Sequence, residues 1–227
     1  MVDRLPLDRP FRPAKLRWRL VDARIEGPDS FGLPPDMVTT DGGGWWTAEF
    51  GEAPAMTPDE HMTLRAAALQ LRGGRRIDVP FLEQRPTGGL VTAAPAGDEL
   101  SFDDGVFIAP GLVTAEVEST VGLRADEMRI RVTSGAPLIG GDVFSLWRGP
   151  ELGSELHALG AVTALGDDVW AVEIGPQMRQ AYAPGTEINF NDPHCAMRLV
   201  DPDGGLWPEF DRGWNPRARL RFDEAVR

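Results

Sequence analysis

Apolar and polar residues alternate over short stretches of this chain, and turn residues separate the stretches. Over residues 15–25, Leu16, Trp18 and Leu20 fall on one side and Arg17 and Arg19 on the other, the period-two pattern of a half-buried strand. Residues 128–133 alternate strictly and 112–121 less cleanly, and the two read as an antiparallel pair whose connection is too long for a two-residue hairpin. Similar patterns predict strands over 45–50, 75–82, 90–94, 99–102, 106–110, 143–147, 156–165, 169–174, 186–190, 195–200 and 218–222.

One strong helix interrupts the strands, over residues 57–72. Thr57 and Glu60 have capping-box spacing, Pro58 occupies the first helical position, Asp59 and Glu60 complement the dipole, and Gly73-Gly74 stops the helix. Met62, Leu64, Leu69 and Leu71, together with Ala66, Ala67 and Ala68, give a broad apolar side that can lie flat on a sheet. The flanking strands allow a parallel crossover or a helix capping an antiparallel sheet. Residues 1–14 read as an extended arm that orders only against something else.

These elements predict a mainly β protein with one α-helix, an α+β chain. The first domain spans residues 15–135 with the returning tail 206–227, and a small β-barrel spans 136–205, since five or six short strands in so few residues leave no bare edges if they close.

Composition narrows the function. The chain has 227 residues, enough for a core without staples, and its 26 Gly, 20 Pro and seven Trp against one Tyr suit a turn-rich β fold. The lone Cys195 excludes an intramolecular disulfide and a thiolate-rich zinc site, and fits a reducing cytoplasm. No apolar run spans a bilayer and no leader pattern opens the chain, so neither secretion by signal peptide nor membrane insertion is expected. A formal net charge of −12 disfavours nucleic acid as a gripped partner, and the basic spots at Arg17 to Arg19 and Arg72 to Arg76 read as solvated strand edge and helix end.

Two sets of residues carry a resemblance. The first is a strand with Trp45-Trp46, a helix opening Thr57-Pro58-Asp59-Glu60, its end at Leu71 to Arg75, and a return strand closing on Pro80-Phe81. The second is Gly141-Asp142 before an apolar strand, Pro176 to Arg179, and Met197-Arg198-Leu199. In this order they resemble the minor tail and distal tail structural proteins of long-tailed bacteriophages and prophages, over about residues 40–200. The resemblance implies a non-enzymatic virion component, assembled in the host cytoplasm as a ring of its own copies. Such a ring joins the tail tube to baseplate and fibre proteins, with DNA only as passing cargo.

Other chemistry is poorly supported by the residues. His61, His157 and His194 are dispersed, without a helical ligand partner. In Asn191 to Cys195, adjacent His194 and Cys195 would point to opposite faces of a strand, which makes a poor dyad. The Asp103-Asp104, Asp167-Asp168 and Asp201 to Asp203 groups lack a calcium-loop register, and no glycine group matches a phosphate loop, so no metal, cofactor or catalytic residue is assigned. The candidate contact residues are Trp45, Trp46, Trp207 and Trp214, because Trp anchors interfaces and stacks on sugars. Trp45 and Trp46 must face opposite ways, and an exposed one offers the alternative function, a carbohydrate-binding module.

Overall fold

The structure, a computed structural model, describes residues 3–4, 15–21, 24–26, 37–39, 43–54, 58–71, 74–81, 99–102, 105–108, 113–135, 137–200 and 217–226. In chain order the elements are β1 (Asp3–Arg4), β2 (Lys15–Val21), β3 (Arg24–Glu26), β4 (Met37–Thr39), β5 (Trp45–Pro54), α1 (Pro58–Leu71), β6 (Ile77–Pro80), β7 (Glu99–Phe102) and β8 (Gly105–Ile108). They continue as β9 (Thr114–Val117), β10 (Glu127–Ser134), β11 (Val143–Trp147), β12 (Ser154–Gly166), β13 (Val169–Gly175), β14 (Glu187–Ile188), β15 (His194–Leu199) and β16 (Arg217–Glu224). The chain divides into two compact units, residues 1–83, 147–155 and 194–227, and residues 84–146 and 156–193.

The first unit is built on a six-stranded sheet in the order β1-β6-β15-β16-β5-β2. Alternation sorts its side chains. Trp18, Trp46, Ala48, Phe50, Val79, Cys195, Met197, Leu220 and Phe222 are buried, and the register aligns Trp18 with Ala48, Ala48 with Phe222, and Cys195 with Val79. Trp18, Trp46 and Phe81 meet edge to face or tilted, with centroids 5.0 to 6.2 Å apart, geometry that adds to the gain from burial. Of residues 1–14 the structure describes Asp3 and Arg4, which pair in parallel with Ile77 and Asp78; the rest of the expected arm lies outside the described residues.

The strands flanking α1 are not neighbours, because β15 and β16 lie between β6 and β5. Successive antiparallel pairings make β5 and β6 run in opposite directions, so the helix makes no parallel crossover between them. The expected apolar side of the helix is also divided. Met62 (63% exposed) and Leu69 (61%) lie on one exposed stripe with Asp59, Thr63, Ala66 and Gln70, while Leu71, turned away from it, is buried.

The second unit contains an antiparallel sheet in the order β11-β12-β13-β10-β9-β14. Ser145 on β11 and Asn189, just past β14, exchange backbone hydrogen bonds at 2.9 and 3.0 Å, which joins the two ends of the sheet into a nearly closed barrel without a bare edge. Val117, Ile130, Phe144, Leu146, Leu159 and Phe190 belong to its core. Asp167 and Asp168 both adopt positive φ (51° and 59°) in the tight turn from β12 to β13, a conformation their short polar side chains tolerate. β7 and β8 pair antiparallel as a separate two-stranded sheet, with Glu99 opposite Ile108 and Phe102 opposite Gly105.

Two segments lie elsewhere than the expected boundaries put them. β9 and β10 are barrel strands, because Ile130 pairs with both Val117 and Trp170. β15 belongs to the first sheet, where Cys195 and Met197 align with Val79 and Ile77 on one face and His194 and Ala196 are buried on the other. Among the described residues no helix is long and apolar enough to cross a membrane.

Candidate functional site

The polar face of the first sheet collects opposed charges. In register across β2, β5 and β16 lie Arg17, Glu49 and Arg221, and in the next polar row Arg19, Thr47 and Asp223, with Arg198 of β15 aligned to Asp223. Arg17, Arg19, Arg198 and Arg221 are exposed. Four guanidinium groups against two carboxylates make this face basic on an otherwise acidic chain. Burial raises the Asp223 carboxyl above its ordinary range, opposed by Arg221, whose Nε lies 3.9 Å away. Arg76 extends the basic run: burial, then the neighbouring Arg198 and Arg148, lower its pKa, and its Nη1 donates to the Glu151 carbonyl at 2.8 Å.

Trp45 sits at the end of this face, opposite Val21, and is 36% exposed, whereas Trp46 is 6% exposed and packs with Trp18 and Phe81. Of the four candidate contact residues, Trp45 is therefore the one on the described surface, and Trp46 is core. Trp207 and Trp214 lie outside the described residues.

A buried polar cluster lies at the other end of the same face, where Asp78 aligns with Ala196. Arg148 to Gly153 form the tip of the hairpin joining β11 and β12, closed by the Arg148 N–H to the Gly153 carbonyl at 3.0 Å. Asp78 Oδ1 accepts the Ser154 backbone N–H at 3.0 Å, and Oδ2 accepts its hydroxyl at 3.4 Å. Desolvation raises the Asp78 carboxyl, against the Ser154 bonds, the charge of His194 and that of Arg148. Gly153 is required here: its φ is +71°, and a Cβ would meet Asp78 Oδ1 at 2.6 Å and the Ala196 Cβ at 2.9 Å. Arg148 and Glu155, 4% and 0% exposed, face each other at 3.9 Å, and Arg148 also donates to the carbonyls of Leu152 and Ala225.

Serine, histidine and aspartate thus meet in one place, but their roles are not those of a triad. The aspartate accepts from the serine directly, leaving no imidazole between them to take the hydroxyl proton. The bonds hold the hairpin tip against β6 instead. His157 is likewise structural: its Nδ1 lies 2.7 Å from the Pro176 carbonyl, and its ring stacks on Phe144. Cys195 is buried and aligned with Val79, whereas His194 aligns with Pro80, so the two side chains leave opposite faces. Asn189 and Asn191 tie the loop before them, Asn191 exchanging bonds with the Val113 backbone at 2.9 Å. Among the described residues no three His, Cys, Asp or Glu side chains are grouped to hold a metal ion.

The barrel carries a shallow groove of about 420 Å³ on its outer wall. Glu127 and Glu173 face each other across β10 and β13, and the next outward pair is Arg129 and Ala171. Ser119, Thr120 and Thr163 add hydroxyls, and Ala161 and Ala171 keep the floor low. Glu173 also accepts the Ala161 N–H at 3.4 Å, where β12 bulges. Nearby, Arg131 is held by Glu118 in a bidentate pair that lowers the carboxylate and raises the guanidinium.

No protein-family model matches this chain, and no curated protein matches it. The groove and the hairpin-tip cluster were both absent from the sequence reading. The tip cluster joins residues 76 positions apart, and the groove joins three strands, so neither leaves a local signature.

Proposed function

We propose that this chain is a structural component of a phage tail tip, a ring-forming distal tail protein that joins the tail tube to the host-recognition apparatus. The observation that supports this reading is where the residues of the resemblance fall: they frame the β units. Asp142 Oδ2 accepts the Ile139 N–H at 3.0 Å and its backbone accepts from Leu159, which fixes the entry to β11. The Pro176 carbonyl lies against His157, and buried Met178 exchanges backbone bonds with residues 124 and 125 of the loop before β10. Residues that frame a barrel suit a protein whose work is done by extended surfaces.

An acidic chain, with 35 acidic against 23 basic residues, also suits a ring whose lumen does not grip DNA phosphates. The test is co-sedimentation of the purified protein with tail-tube protein from the same phage or prophage. Comigration as a defined complex supports the proposal, and its absence over the whole accessible concentration range contradicts it.

Trp45 favours one second reading, a carbohydrate-binding module using the polar sheet face. Glycan binding lost in Trp45→Ala, with the fold intact, would support it; unchanged binding would remove it.

A further inference from the structure

Two complementary surfaces lie on different units. The second unit carries 14 of the acidic residues and five of the basic ones, so it holds most of the net charge of −12. The first unit carries the arginine face, on which β2, the last strand of the sheet among the described residues, presents exposed Arg17 and Arg19. Both arginines leave the same face, about 7 Å apart along the strand. On the barrel, Glu127 and Glu173 are register partners on β10 and β13 and both line the groove, Glu173 reaching toward β12 to accept the Ala161 N–H. Arg129 lies one register step away, beside Ala171, and the hydroxyls of Thr120 and Thr163 supply further acceptors for a guanidinium.

Resting on the ring reading above, we propose that the Glu127/Glu173 groove of one copy receives the Arg17/Arg19 pair of a second copy. The two surfaces are different patches, so the contact is heterologous, and repeated head to tail it closes into a ring when the rotation per copy permits. A guanidinium seated in the groove gains charge-assisted hydrogen bonds to its carboxylates. The same contact sets the order of copies by excluding like-charged surfaces.

The test is a charge exchange on the full chain. Self-association of wild type, R17E/R19E, E127R/E173R and the chain carrying all four changes is measured by sedimentation equilibrium. Each reversal is expected to weaken association by roughly tenfold or more, and the four-fold variant to recover most of it. All four positions lie on exposed or groove surfaces, and circular dichroism confirms folding. Should a reversal unfold the protein, R17Q/R19Q and a salt titration of wild type serve instead, and both must weaken association. Association that is indifferent to these changes and to salt, or a swap that recovers nothing, overturns the inference. So does retention of a duplex oligonucleotide at physiological salt that R17E/R19E abolishes, which would make the arginine face a phosphate site. Wild type that stays monomeric yet binds tail-tube protein overturns the self-contact and leaves the tail reading standing. Wild type that binds neither itself nor tail-tube protein overturns both.

Discussion

Asp78 and Ser154, 76 residues apart in the chain, are joined twice: the carboxylate accepts both the backbone N–H and the hydroxyl of the serine in a buried setting. Asp78→Ala leaves a buried N–H and a hydroxyl without their acceptor, which costs about 1–3 kcal/mol for the unmet groups. Urea unfolding followed by Trp fluorescence reads the loss as a lower midpoint, and an unchanged midpoint contradicts the role assigned to the pair.

The same residue confers a pH dependence. Burial raises the Asp78 carboxyl above its usual value, so the folded chain holds the proton more tightly than the unfolded one. Its contribution to stability is complete below about pH 4 and is lost as the pH rises through the raised value. Asp78→Asn keeps an acceptor for the Ser154 N–H without the ionisation. Relative to wild type, this variant gains stability as the pH rises above about pH 4 and the wild-type carboxyl ionises, whereas a pH-independent difference would contradict the direction of the shift.

Two glycines in one hairpin tip separate strain from clash. Gly149 has φ +107° with open space around a built Cβ, whereas at Gly153 the Cβ would strike Asp78 and Ala196. Gly149→Ala therefore costs only the backbone term, about 1 kcal/mol, and Gly153→Ala costs clearly more, by roughly 1–3 kcal/mol. Thermal unfolding of the two variants side by side checks the order, and equal midpoints refute it.

Adjacent tryptophans differ as sharply. Trp46→Ala opens a cavity beside Trp18 and Phe81 and costs about 3–5 kcal/mol, whereas half-exposed Trp45→Ala stays within about 1 kcal/mol of wild type. Equal losses in denaturant titrations would show that Trp45 is also core.

What was legible in the sequence was local. Strict alternation marked β10, with Met128, Ile130 and Val132 buried, and the Leu16/Trp18/Leu20 pattern marked β2. The barrel was readable because many short strands at close spacing must close. Pairing between distant segments was not readable: β15 follows the barrel strands in the chain but joins β6 and β16, and no local residue encodes that choice. Composition also concealed the arginine face. Net charge averages over units, whereas the strand register gathers Arg17, Arg19, Arg198 and Arg221 onto one face. Trp45 and Trp46 shared one sequence signal, and the register alone decides which of them reaches solvent.

The ring reading is tested most directly by negative-stain microscopy of the purified protein, with its mass by sedimentation velocity, over a range of concentrations, alone and with tail-tube protein. The account predicts closed rings with a central opening, formed alone or on the tube protein. A compact monomer under every condition would contradict it and would leave the Trp45 sugar-binding surface as the reading to pursue.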